Sequence, residues 1–354
     1  MSALVIDGGR LGGYTEQILL RLGARPRHAR RVSEALVGAD LSGLVSHGIR
    51  QLPYYAAQIR RGDLDPARDP EIVEDAGSFL VVDGHRGFGH VVAHDAARLA
   101  SERAREHRVA LVAVRNANHI GRLGEYTELL AGVGQIGLLL VNLEGSTQQV
   151  APFGGIDRRL TNNPISIAVP GSEHPIVIDM ALSASAESRV LQAAERGTDV
   201  PPGWVLDADG EPSTSPRAYL DGGTLVPVGG MEGGHKGYGL IFLIEIIVGS
   251  LSGGRMCGPD DPAFSNGFVL ICVEPGADAD RPARAEQLIA WVKSSRRRPG
   301  VSEILVPGEL EDRVRRAGRG LVSLDGPSVQ RLEELATSVG LDRPLASLGV
   351  VADP

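Results

Sequence analysis

Two short polar stretches hold residue types that acid–base chemistry needs. The first is Asn116-Ala117-Asn118-His119-Ile120-Gly121-Arg122-Leu123-Gly124-Glu125-Tyr126. It follows an apolar run of strand length, Val109–Val114, and leads into a helix-like run from Tyr126 to Val133. In open α/β sheets, sites form there, outside the carboxyl ends of strands. A histidine titrates near neutral pH, so His119 can give or take a proton. A turn whose histidine only caps the helix is the alternative. The second stretch is Ser46-His47-Gly48, at the start of a helix, with Arg50 and Gln51 just beyond. Helix starts attract anions, so a substrate carboxylate could be held there; simple capping by Ser46 is the alternative.

Two further loops suit an anionic ligand. Ala151-Pro152-Phe153-Gly154-Gly155 is a rigid Pro/Gly turn, followed by Arg158, Arg159 and Thr161-Asn162-Asn163-Pro164. Backbone donors beside arginine suit a pyrophosphate. Gly229 to Gly239 opens an apolar helix with flexible glycines, His235 and Lys236, again an anion-type arrangement. Each loop alone reads as ordinary surface. Taken with the two histidine turns, they read as one site assembled from distant segments. Gly84, Gly87 and Gly89 lie between a strand and a helix, but their order is not that of the dinucleotide fingerprint. Gly8–Gly13 lacks a preceding strand of proper length. A nicotinamide would therefore be bound without the usual glycine motif. His90 and His94 stand one helical turn apart with no obvious third ligand, so they read as helix histidines and no metal is expected.

Composition agrees with an enzyme of ordinary type. The chain has 354 residues, 42% hydrophobic and 23% charged, enough for a large core and two domains. The net charge of −8 gives no reason to expect nucleic acid as a partner. Two cysteines, Cys257 and Cys272, have no metal-type spacing and imply no disulfide framework. No leader pattern and no run of membrane-spanning length is read, so a cytoplasmic protein free of the membrane is expected.

The positioning elements follow from periodicity. Residues 11–75 read as mostly helical, with Thr15 as a cap, a helix from Pro26 to Gly38, and another from about Arg50 to Arg61 closed by Gly62. Ser78–Asp83, Val109–Val114 and Ile136–Val141 read as strands with helices between them, which predicts parallel pairs with right-handed crossovers. Ile165–Val169 and Pro175–Asp179 read as a strand pair. A helical run from about Ser183 to Glu195 follows. Gly237–Gly249 is apolar all round and predicts a buried helix. Phe268–Val273 is a buried strand, and helices follow at Arg281–Lys293, Leu310–Arg316 and Ser328–Val339.

The motifs also match a known family. Asp40-Leu41-Ser42-Gly43 with Ser46-His47-Gly48, Asn118-His119 through Tyr126, Ala151–Gly155, Thr161–Ala168, Asp179-Met180-Ala181, Gly234–Leu240 and Val306–Glu309 occur in order. Together they resemble the type-2 malate/L-lactate dehydrogenase family, over about residues 10–345, most of all its hydroxycarboxylate dehydrogenase branch. The resemblance implies an α/β chain with a non-Rossmann NAD(P)-binding fold. That fold has a mixed sheet over residues 77–308 and a helical domain from both chain ends, 1–76 and 309–354, usually in a homodimer. It implies NAD or NADP as cofactor and a small-molecule 2-hydroxy or 2-oxo acid, or a related imino acid, as substrate. It makes His119 the proton donor or acceptor, with His47 and Ser46 lining the pocket. It puts Arg50, Gln51 and Tyr54 toward the substrate. It puts Asn118, Gly121, Pro152, Phe153, Gly154, Gly155, Thr161, Asn162, Asp179, Met180, Ala181, His235 and Lys236 toward the cofactor.

Three departures stand out. Many members carry arginine where this chain has Gln51, to meet the substrate carboxylate. Glu187-Ser188 stands where many have Gly-Lys, and Gly233-Gly234 reads as an extended loop before Lys236. They point to a divergent substrate, or to a family-fold protein that binds cofactor without the usual turnover.

Overall fold

The two chain ends build one helical layer. The computed structural model describes residues 3–145, 147–259, 264–276 and 281–349. Strand β1 (Leu4–Asp7) leads straight into helix α1 (Gly8–Arg21). Asp7 caps it, its carboxylate accepting the Arg10 N–H at 3.0 Å. The Gly8–Gly13 run is therefore helix, not loop. Thr15, expected as the cap, lies inside α1 and donates its hydroxyl to the Leu11 carbonyl at 2.8 Å. Helix α2 (Pro26–Leu41) opens on its proline as expected and runs about a turn past Gly38. Two single 3-10 turns, Val45–His47 and Ile49–Gln51, lead into α3 (Leu52–Arg61), which Gly62 ends at φ +77°.

The sheet begins earlier than expected. Strand β2 (Glu71–Asp75) is exposed throughout and lacks an apolar alternation, so the helical reading of this segment missed it. Then come β3 (Phe79–Asp83), α4 (Gly89–His107), β4 (Val109–Ala117), α5 (Gly124–Gly132), β5 (Ile136–Asn142), β6 (Ile165–Val169) and β7 (Ile176–Met180). A side layer follows: α6 (Glu187–Arg196), the short strands β8 (Val205–Leu206) and β9 (Pro212–Ser213), α7 (Pro216–Leu220) and β10 (Thr224–Leu225). The chain ends with α8 (Gly230–Ser252), β11 (Asn266–Val273), α9 (Arg281–Lys293), α10 (Glu309–Ala317), β12 (Leu321–Leu324) and α11 (Gly326–Ser338).

The main sheet has seven strands in the order β2-β3-β4-β11-β5-β6-β7. β3 and β4 are parallel, joined through α4 as expected. β4 and β5 are not neighbours: β11 inserts between them, antiparallel to both. The run Phe268–Leu270 has no solvent exposure, and a strand so apolar gains most at the sheet's centre. β6 and β7 pair antiparallel, again as expected. β12 pairs with β1, which draws the C-terminal segment onto the N-terminal helices. Leu11, Ile18, Leu36 and Tyr55 thus share one core with Val322, Leu332, Leu335 and Leu345.

Helix α4 lies on one face of the sheet. Its Ala93, Ala96, Ala97, Ala100 and Ala104 are buried, and the small side chains let helix and strands approach closely. Helix α8 packs on the other face, burying Ile241, Ile244, Glu245 and Val248. It corrects three expectations. Helix already begins at Gly230, so Gly233 and Gly234 do not extend a loop. Nor is the helix buried all round: Leu240, Phe242, Leu243, Ile246 and Ile247 are exposed, Leu243 to 55%. At 23 residues it is also long and apolar enough to cross a membrane, unlike the sequence reading. Buried Glu245 ties it inward, accepting from Asn142 at 3.1 Å and Asn163 at 2.7 Å.

Candidate active site

His119 stands just beyond the carboxyl end of β4. Its backbone N–H donates to the Asn118 side-chain oxygen at 2.8 Å. Its Nδ1 lies 2.7 Å from the Tyr55 hydroxyl of α3. The His47 ring stacks on it at 5.7 Å and 18° from parallel. His90 and Phe264 close in at 6.3 Å each, and Tyr54 meets Phe264 edge-on at 6.3 Å. Ser46 touches His47 through Oγ and Nδ1 at 3.1 Å. The two histidine turns, about seventy residues apart in sequence, therefore meet. Tyr55, His90 and Phe264 join them unforeseen. No local period linked Tyr55 to His47, because extended Gly48 separates the His47 turn from the helix that carries Tyr55.

With Nδ1 of His119 taken by Tyr55, Nε2 is the ring nitrogen left for a reacting group. Burial, with His47 alongside, pushes the His119 pKa down to about 3. His47 is lowered as well, by burial and then by the Arg122 charge. Both rings are therefore neutral at pH 7. A neutral imidazole can act as a base where its free nitrogen carries the lone pair.

The glycines at 84, 87 and 89 form no phosphate loop; they seat the backbone that carries His119. A Cβ on Gly84 would come within 2.9 Å of the Asn116 carbonyl oxygen, and one on Gly89 within 2.1 Å of the Asn118 oxygen and 2.4 Å of the His119 oxygen. The Asn118 N–H donates to Gly87 at 3.2 Å. Asn116 holds φ +54°, its N–H bonded to the buried Glu144 carboxylate at 3.1 Å and its side chain to Asp83 at 3.0 Å. Such a backbone is costly for a non-glycine residue and needs this support.

The Ser46–His47 turn is clasped in the same way. The Ile49 N–H donates to Asp40 at 2.8 Å, and a Cβ on Gly48 would fall 2.0 Å from that carboxyl group. Burial raises the Asp40 pKa to about 6. Gln51 stays at this turn, its amide donating to the Ser46 carbonyl at 2.7 Å. Arg50 turns toward the C-terminal segment, its guanidinium donating to Asp325, the cap of α11, at 2.8 Å.

The segments expected at the cofactor also converge. Gly154 at φ +86° turns the Pro152–Gly155 loop, and Phe153 lies against Gly234 and 5.6 Å from His235. The Asn162 carbonyl accepts the Leu182 N–H at 2.9 Å, and the Leu182 carbonyl accepts the Val228 N–H at 2.7 Å. These bonds bring Thr161, Asn162, Asp179, Met180 and Ala181 beside the start of α8, where His235 and Lys236 are exposed. The Gly124 N–H donates to Asp179 at 2.7 Å, which joins this group to the His119 loop. On that loop, Gly121 adopts φ +73° and the Asn118 side-chain nitrogen is buried with no partner among the described residues. An aromatic ring, a glycine turn, an ammonium and an unspent amide donor together fit a nucleotide ligand.

The remaining departures have structural roles. Glu187 opens α6 and accepts from Gln149 at 2.8 Å and from the Tyr219 hydroxyl at 2.5 Å. Arg158 stacks over Tyr219 at 4.0 Å and bonds the Gly223 carbonyl at 2.7 Å, whereas Arg159 stays exposed beside Asp157.

Comparison with known proteins places the chain in a family. The profile of the malate/L-lactate dehydrogenase family matches residues 7–333. Hydroxycarboxylate dehydrogenase B of Escherichia coli K12 is 34% identical over 349 residues, 95% of this chain and 94% of that one. The crystal structure of malate dehydrogenase from Entamoeba histolytica superposes with a TM-score of 0.92 at 27% identity, covering 97% of this chain and all of the other. Δ1-piperideine-2-carboxylate reductase from Pseudomonas syringae pvar. tomato gives 0.83 at 29% identity, over 94% and 99%. The chain belongs to the malate/L-lactate dehydrogenase family of oxidoreductases acting on hydroxy acids.

Proposed function

We propose that the protein transfers a hydride between NAD or NADP and C2 of a 2-hydroxy or 2-oxo acid, with His119 exchanging the proton. The observation that carries this is the Tyr55–His119 bond, which commits Nδ1 and leaves Nε2 for the substrate oxygen. When bound, the nicotinamide supplies or accepts the hydride. Pro152–Gly155, Thr161, Asn162, Asp179–Ala181 and Lys236 would hold it, with Asn118 and Gly121 on the His119 side. In oxidation, neutral His119 accepts the hydroxyl proton. In reduction, it returns that proton to the new alkoxide, whose negative charge offsets the cost of a buried imidazolium. Ser46 and His47 would polarise the carbonyl. Of the two arginines near the proposed nucleotide segments, Arg158 is held by the Gly223 carbonyl, and Arg159 would leave its exposed pair with Asp157 to meet a 2′-phosphate.

The test is loss of reduced-nicotinamide absorbance on a panel of 2-oxo acids, with and without methylamine, using NADH and NADPH separately. Turnover on an oxo acid alone supports the proposal. Turnover only with amine moves it to imine reduction, the reading favoured by the likeness to the piperideine-2-carboxylate reductase. Cofactor binding without turnover on any of them would sink it. A gain of function tests the carboxylate end. Gln51→Arg should lower KM for 2-oxo acids about tenfold, the worth of one charge-assisted hydrogen bond. An unchanged KM would remove residue 51 from the pocket.

The working unit in this reading is a cytoplasmic homodimer. A second copy covers the apolar face of α8, because a contiguous exposed patch of this kind marks an interface. Leu243→Glu should shift the protein to a monomer in sedimentation equilibrium; a native dimer insensitive to this change would place the contact elsewhere. Residues 1–76 and 309–354 would form one helical unit against the 77–308 sheet unit, which the core shared by the chain ends supports.

A further inference from the structure

We infer that His90 is a positioning residue that sets the tautomer of His119 through the Tyr55 hydroxyl. This rests on the reading of His119 as the proton-exchanging group. Tyr55 is 1% exposed, and the hydrogen bond its hydroxyl makes among the described residues runs to His119 Nδ1. A phenol can donate or accept in that bond. If Tyr55 donates, the proton of neutral His119 sits on Nε2, and that nitrogen has no lone pair with which to remove a substrate proton. If Tyr55 accepts from Nδ1–H, Nε2 becomes the base. The Tyr55 O–H then needs another acceptor, since a buried hydroxyl with an unspent proton is costly.

His90 is placed to be that acceptor. It lies in the first turn of α4, 1% exposed, and neither ring nitrogen has a partner among the described residues. Its ring meets Tyr55 edge-on at 5.6 Å and His119 at 6.3 Å. Gly121 makes room for it: a Cβ there would sit 2.5 Å from His90 Nε2. Burial, with His119, Arg31 and His47 facing it, holds His90 neutral, so one ring nitrogen keeps its lone pair. A single water bridging the Tyr55 hydroxyl and His90 completes the chain; buried polar groups without protein partners are ordinarily met this way. In the chemical step the substrate O–H bond breaks and its proton goes to Nε2. The Nδ1–H stays on Tyr55 oxygen and the Tyr55 O–H stays toward His90, so no second proton moves.

Selective 15N-histidine labelling of the full chain reads which nitrogen of His119 bears the proton, with His119→Gln assigning its signals. The expected result is a proton on Nδ1 in the unsubstituted protein and on Nε2 in His90→Phe, which keeps a ring but removes both nitrogens. His90→Phe should also lower kcat on the order of tenfold at unchanged KM, about the worth of one hydrogen bond. His90→Gln, whose amide oxygen accepts, should restore most of it. A proton on Nε2 in the unsubstituted protein overturns the inference, even where no variant folds. An unchanged tautomer and rate in His90→Phe, with His119→Ala inactive, overturns this inference alone. Full turnover in His119→Ala overturns the reading of the site and this inference with it.

Discussion

Replacing His119 with alanine is expected to lower kcat by about 10²–10⁴-fold, the usual worth of a positioned proton-transfer group. The loss should appear in both directions, because the same group takes the proton in oxidation and returns it in reduction. Cofactor affinity should stay within about threefold, since most of the residues proposed to hold the nucleotide lie on other segments and the substitution removes no charge at pH 7. Stability should fall by about 1–2 kcal/mol, since loss of the ring leaves the buried Tyr55 hydroxyl without its partner. Steady-state kinetics, cofactor titration by fluorescence and a urea melt on the one variant separate these effects. Turnover within tenfold of the unsubstituted protein would remove His119 from the chemistry. A fall in kcat that tracks a fall in stability would make it a structural residue.

Gly89→Ala is expected to damage both stability and rate. Its Cβ would fall 2.1 Å from the Asn118 carbonyl oxygen and 2.4 Å from that of His119. Both are backbone atoms of the loop that carries His119, so no flexible side chain can move aside. Overpacking of this kind costs about 3 kcal/mol where the backbone must shift. A displacement of about 1 Å at the reacting group costs on the order of 10²-fold in kcat. The comparison is Gly132→Ala at the end of α5, where a Cβ meets nothing within 4 Å. That change should leave rate and urea midpoint as they were. If Gly89→Ala matched Gly132→Ala in both measurements, the strand-to-helix glycines would have no part in seating His119.

The same glycines mark the limit of sequence reading. Gly84, Gly87 and Gly89 stand between a strand and a helix, where phosphate loops stand, and spacing could weigh that reading but not replace it. Only tertiary structure shows that the Asn116–His119 backbone presses against Gly84 and Gly89 and donates a hydrogen bond to the Gly87 carbonyl. Steric need looks the same in sequence whether the object approaching is a phosphate or another loop. Helix α8 makes a related point. Its composition reads as buried on every side, yet five large apolar residues face outward. Hydropathy records that a face avoids water, not whether this chain or another covers it.

Local signals did determine much. Pro26, Gly62 and the apolar runs at β3, β4, β5 and β6 set their elements through φ restriction and periodicity, and these act within a few residues. The two histidine turns were legible because catalytic residue types in polar turns are a local pattern too. Pairing was not. The insertion of β11 between β4 and β5, and of β12 beside β1, joins segments more than a hundred residues apart, and nothing in a strand's own residues names its neighbour. The same holds for the site. The sequence supplied His47, His119 and the loops proposed to hold the nucleotide. The contact of Tyr55 and His90 with His119, and the pairing of Arg50 with Asp325, were decided by packing. Hydrogen bonds go to whichever partner the fold brings within about 3 Å, and that distance is a property of the assembled core rather than of any stretch of chain.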